Sequence, residues 1–179
     1  MRIIGIDPGY AIVGFGVVDY IDGKFSVKDF GAITTDKDTP FPKRLCEIYE
    51  DYCQILDSWK PDALSIERLY FTNNQKTGID VAQARGIIVM AAAQRGIEIN
   101  EYTPLQVKQA VVGYGQAVKK QVQEMTKNIL KLSCVPKPDD TADALAMTIC
   151  HAQTSGSLLR NIKAVSYTHL RAHETPEHL

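Results

Sequence analysis

Hydrophobic residues fall in strand-like runs at the start of the chain and switch to a helical period after residue 40. Residues 2–6 form a short β-branched run, and residues 11–20 carry Ile12, Val13, Phe15, Val17 and Val18. Asp22-Gly23 then separates Tyr20-Ile21 from the run 24–27. Asp-Gly between two such runs predicts a tight hairpin, because both turn positions take positive φ. The opening third therefore reads as a β-meander ending near Ile33.

Pro40 and Pro42 mark a break. Leu45, Ile48, Tyr52, Ile55, Leu56 and Trp59 recur at helical spacing and predict an amphipathic helix. A short strand follows at 62–66 and is ended by Glu67. Residues 79–95 predict a long helix whose second half is apolar nearly all round, hence buried on more than one side in its own core or in a subunit interface. Gly96 stops that helix, and 97–99 is another short strand. Thr103-Pro104 reads as an N-cap with proline at the first helical position. Val118, Val122, Met125, Ile129 and Leu132 place the next helix. A last helix begins at Asp139 or Asp140 and runs to about Gln153. The order β-β-β-α-β-α-β-α-α-α implies a mixed α/β sheet covered by helices.

The chain has 179 residues, the length of one domain with a tail. Residues 1–161 are assigned to the domain. Residues 162–179 hold three of the four histidines with no apolar periodicity, and are expected to be a disordered or non-native tail. The string Val165-Ser166-Tyr167-Thr168-His169-Leu170-Arg171-Ala172-His173 looks like translated sequencing adapter and is excluded from fold reasoning. Cys46, Cys53, Cys134 and Cys150 lack metal-site spacing and read as reduced, mostly buried thiols of a reducing cytoplasm. An acidic residue at position 7 argues against a signal peptide, and no apolar run is long enough to span a membrane.

The formal net charge of −1 argues against a surface that is basic everywhere. The total hides a segregation. Residues 102–137 hold six lysines and one acid, whereas 19–62 hold six basic and ten acidic residues. The C-terminal half thus carries a candidate phosphate-facing surface.

Three places put carboxylates where packing alone would not. Asp7 ends one β-branched strand, before Pro8-Gly9, and Glu67 ends another. Asp140 and Asp143 lie one helical turn apart on a helix otherwise rich in alanine. Singly, each has an ordinary explanation as a turn, a solvated strand end or an N-cap. Together, carboxylates facing a buried surface call for positive charge, and oxygen-only ligands point to Mg²⁺ or Mn²⁺. Glu47, Glu50 and Asp51 cluster too, but on the polar face of the helix at 45–59.

The chain resembles the RuvC family of Holliday-junction resolvases. The resemblance rests on Gly5-Ile6-Asp7-Pro8-Gly9, Ser65-Ile66-Glu67-Arg68-Leu69-Tyr70, Gln83-Ala84-Arg85-Gly86, Gln106-Val107-Lys108-Gln109, Val112-Gly113-Tyr114-Gly115, Lys120-Gln121-Val122-Gln123 and Asp140-Thr141-Ala142-Asp143-Ala144-Leu145-Ala146. It covers roughly residues 1–153 in unbroken order. It implies an RNase H-like fold with a five-stranded sheet, a homodimer, and paired nicking of four-way DNA junctions dependent on Mg²⁺, two ions per subunit, with Mn²⁺ as a substitute. It makes Asp7, Glu67, Asp140 and Asp143 the metal ligands. Its D-x-x-D spacing selects Asp140, although Asp139 and Asp143 are also one turn apart. It places Lys108 and Lys119, which adjoins Lys120, near the scissile phosphate. It makes Tyr70 a base-packing aromatic and 71–78 a DNA-contacting loop with Asn73, Asn74 and Lys76. It implies the branch-migration proteins RuvA and RuvB as partners, and makes the helix from Ile79 the candidate dimer interface. An RNase H-like ATPase would need roughly twice this length to enclose a nucleotide. A non-catalytic junction binder should have lost a carboxylate, and none is missing.

Overall fold

Asp22 and Gly23 both adopt positive φ, 51° and 78°, and join β2 (Ile12–Ile21) to β3 (Lys24–Thr34) as the Asp-Gly pair predicts. The computed structural model describes residues 1–69 and 75–166, with side chains for 1–69 and 77–156. β1 (Arg2–Asp7) pairs antiparallel with β2 and parallel with β4 (Ala63–Glu67), and β4 pairs parallel with β5 (Glu98–Tyr102). The result is a mixed five-stranded sheet of order β3-β2-β1-β4-β5 flanked by helices, as the resemblance implied.

One face of the sheet carries Ile4, Ile6, Val13, Val17, Leu64 and Ile66, packed against α1 (Phe41–Trp59) and α2 (Gln75–Gln94) through Ile48, Tyr52, Leu56, Ala84 and Ile88. Burying each such aliphatic side chain contributes about 1.5–3 kcal/mol. The opposite face receives α5 (Asp139–Ser166), over which α3 (Pro104–Val112) and α4 (Lys119–Ile129) close a second core around Val111, Val122, Leu145 and Ile149. Thr103 caps α3 as expected: its hydroxyl accepts from the Gln106 amide at 3.1 Å while the Gln106 side chain accepts from the Thr103 amide at 2.8 Å.

Several boundaries differ from the sequence reading. α1 starts at Phe41, since Pro42 lies in its first turn, where a missing N–H costs nothing. α2 starts at Gln75, so 75–78, expected in a loop, are helical. Its apolar second half is buried on one side: Ala84, Ile88, Ala91 and Ala92 are covered, while Met90 is 46 % exposed. β5 lies at 98–102 because an edge strand tolerates polar Glu98 and Asn100. α5 continues to Ser166, past the expected end at Gln153. Of the cysteines, Cys150 is buried, Cys53 is half-buried, and Cys46 and Cys134 are exposed, so "mostly buried" does not hold. Among the described residues no helix is long and apolar enough to cross a membrane.

Candidate active site

Ile6 and Ile66 are direct partners across the parallel β1–β4 ladder. The next residue on each strand is an acid, so Asp7 and Glu67 end adjacent strands, and alternation points both toward α5. Helix α5 reaches them because glycines stand beneath its first turns. Gly5 and Gly16 face each other in the β1–β2 ladder, as do Asp7 and Gly14. A Cβ on Gly14 would lie 2.0 Å from the Asp140 carbonyl oxygen, and one on Gly5 2.0 Å from that of Ala144. The helix backbone therefore rests on the strands, and its first turns bring Asp140 and Asp143 to Asp7. The sequence signal was present: glycines inside a β-branched run mark close backbone approach.

The electrostatics record this convergence. The Asp7 carboxyl is pushed up to about 8, first by burial and then by the charges of Asp143, Glu67 and Asp140. Glu67 is raised by burial and by Asp143. Asp143 is also raised, chiefly by burial, although the Lys119 ammonium opposes the shift. Asp139 is turned outward to Lys137 at 2.6 Å, which holds its carboxyl below the usual range. Asp139 does not figure among the charges acting on Asp7, whereas Asp140 does.

The α5 carboxylates have a cation at hand. Lys119 Nζ lies 2.8 Å from Asp143 Oδ2. Lys119 opens α4, where the Gln121 side chain caps the Val118 amide at 2.9 Å. Asp7, Glu67, Asp143, Lys108 and Lys119 line one cleft of about 240 Å³, whose apolar wall includes Val107, Val122 and Met147. Lys120 is exposed beside it, on the same turn of α4. Among the described residues, no three carboxylate, imidazole or thiol side chains are drawn together as a ready coordination shell. Uncompensated like charges keep their distance, and one ammonium occupies part of the acidic end. Even so, the donor set is all oxygen: Asp7, Glu67 and Asp143 line the cleft, and Asp140, outside its lining, adds its charge at Asp7, a set suited to hard divalent cations.

Arg85 adds a support that the sequence reading quoted but assigned no role. From α2 its Nε donates to the Glu67 carbonyl oxygen at 3.2 Å, and its Nη2 pairs with Glu101 at 2.5 Å. Of the residues expected to contact DNA, Tyr70, Asn73 and Asn74 lie outside the described residues, as does the side chain of Lys76, whose backbone opens α2.

The family model for "Crossover junction endodeoxyribonuclease RuvC" matches residues 3–151. A protein of that description from Ruminiclostridium cellulolyticum is 55% identical over 163 residues, 90% of this chain and 98% of its own. The structure of Thermus thermophilus RuvC in complex with Holliday junction substrate is 33% identical, with a TM-score of 0.81 over 85% of this chain and 93% of that one. The yeast mitochondrial Holliday junction resolvase Ydc2, 16% identical with a TM-score of 0.64 over 90% of this chain and 82% of its own, shares the fold. The fold is thus the RNase H-like one. With the model spanning 3–151 and a relative more than half identical along nine-tenths of the chain, this protein belongs to the RuvC family of crossover junction endodeoxyribonucleases.

Proposed function

We propose that this chain is a structure-specific DNA endonuclease that resolves four-way junctions by paired, symmetric, divalent-metal-dependent nicks in recombination and repair. One observation carries the reading: carboxylates from three elements, β1, β4 and α5, meet at one end of the sheet, in a cleft that also holds two lysines. Asp7, Glu67, Asp140 and Asp143 would hold Mg²⁺, or Mn²⁺ in its place. When bound in pairs, such ions lower the pKa of a water and stabilise the leaving 3′ oxygen.

The protein's own groups do the rest. The half-buried setting of the acids makes each charge count for more than it would in open solvent. Lys108 and Lys119 sit on the wall of the same cleft, where ammonium groups offset charge on a phosphate under attack. Tyr70 follows Glu67 by three residues, Asn73 and Asn74 precede α2, and Lys76 stands in its first turn, chain positions suited to packing on bases and contacting the backbone beside the cut. Lys120 extends the basic surface outward.

Paired cuts require two sites. Ile79 and Met90 leave apolar surface on α2, 53 % and 46 % exposed, which supports a two-fold homodimer matched to a two-fold junction. RuvA and RuvB are the partners that the resemblance adds. Mapping cuts on a synthetic junction tests the reading: nicks at symmetric positions in two opposed strands, sealed by a ligase, support it. Cuts scattered over all four arms, or products that no ligase seals, contradict it.

A further inference from the structure

Asp143 and Glu67 come from different elements, and their separation depends on how α5 seats on β4 and β5. That seat is largely apolar, with Met147 and Cys150 of α5 packed on Tyr102 of β5. Two polar ties cross it. Ser65 Oγ, fully buried on β4, donates to the Met147 carbonyl oxygen at 2.7 Å. The Tyr102 phenol oxygen at the end of β5 lies 2.8 Å from His151 Nδ1, with His151 3 % and Tyr102 6 % exposed.

The placement of the second tie is specific. Tyr102 is the direct partner of Glu67 in the β4–β5 ladder, and its carbonyl oxygen accepts from the Arg68 amide at 2.8 Å. On α5, Met147 and Cys150 follow Asp143 at helical spacings of four and seven, with His151 adjoining at eight, so all lie on one side of the helix. Tyr102, Met147 and Cys150 pack together, and Met147 is also part of the cleft wall. One end of the tie therefore belongs to the strand pair that holds Glu67, and the other to the helix that holds Asp143.

We propose that Tyr102 and His151 form a positioning pair that sets the register of α5 against β4–β5, and through it the spacing of Glu67 and Asp143. The proposal rests on the reading of those acids as metal ligands. Neither side chain touches the cleft's acids, and both act through the elements that they join. Burial lowers the His151 pKa and raises that of Tyr102 to about 12, which favours the neutral form of both. Buried polar pairs of this kind stabilise when satisfied and are costly when half removed.

Three variants test the pair: Tyr102→Phe removes the hydroxyl, His151→Leu removes the ring, and His151→Asn keeps a polar atom near the Nδ1 position. Junction nicking gives kcat and KM, and electron paramagnetic resonance of Mn²⁺ gives metal affinity without turnover. Tyr102→Phe and His151→Leu are expected to lower kcat and weaken Mn²⁺ binding by about tenfold each, with KM for the junction unchanged, and His151→Asn to recover most of both. A lowered Tm with kcat and Mn²⁺ affinity both as in the parent would overturn the proposal, leaving a merely structural tie. If the parent protein binds Mn²⁺ but nicks no junction, the functional reading fails while Mn²⁺ affinities still judge the pair. If the parent binds no Mn²⁺, both fall.

Discussion

At Asp7, burial and three neighbouring carboxylates act in one direction. The folded chain therefore keeps a proton between about pH 4 and about pH 8 that the unfolded chain has released. Stability of the chelated protein should fall as pH rises through that window, and the raised Glu67 and Asp143 add to the trend. Calorimetric scans should show a declining Tm, a shallower decline for Asp7→Asn, and recovery at the alkaline end when Mg²⁺ is added. A flat profile for the parent would contradict the crowding of acids. Lys119 makes the opposite contribution, because its ammonium pairs with Asp143 at the cleft. Lys119→Ala should slow nicking by about a hundredfold, an effect comparable to removing one preorganised donor to developing charge, while junction affinity measured by gel shift changes little. An unchanged rate would remove Lys119 from the mechanism.

Among the elements, α5 decides the geometry, and it does so through what the sheet omits. Gly14→Ala would drive a methyl group into the Asp140 carbonyl, a backbone atom that cannot swing aside. The expected cost is about 1–3 kcal/mol in urea denaturation, together with a loss of nicking larger than the stability loss explains, because the helix must lift from Asp7. Full activity in that variant would refute the glycine seat. The sequence showed the element order, the Asp-Gly hairpin and the Thr103 cap, since each follows from local rules of turn, period and capping. It also showed Asp7, Glu67 and the Asp140–Asp143 pair, since acids at strand ends and one turn apart break the apolar pattern. Less visible were the Lys119–Asp143 pair, the Arg85 contact to Glu67 and the Tyr102–His151 tie. Those join positions 18 to 49 residues apart, and side-chain period along one element carries no information about partners on another. The start of α2 escapes the sequence reading because Gln75, Lys76 and Thr77 are polar residue types, and a polar first turn has the composition of a loop.

For the whole molecule, a net charge of −1 is compatible with a DNA-facing surface because the lysines of 102–137 are gathered on α3, α4 and the segments beside them. Junction affinity should weaken steeply as salt rises, and Lys120→Ala should reduce the slope without changing the cut positions. The apolar surface on α2 carries the assembly prediction. Met90→Glu should shift the protein from dimer to monomer in sedimentation velocity and abolish paired cuts; a dimer that persists would move the interface elsewhere. The four acids are proposed to hold the metal that drives DNA hydrolysis at a four-way junction. The most direct test is cleavage of an end-labelled synthetic junction beside a linear duplex, by the parent protein and by Asp7→Asn, with Mg²⁺ or with a chelator. Nicking is expected of the junction alone, by the parent alone, in Mg²⁺ alone, with the variant still binding the junction. Cleavage by Asp7→Asn at the parent rate, or in the presence of the chelator, would contradict it.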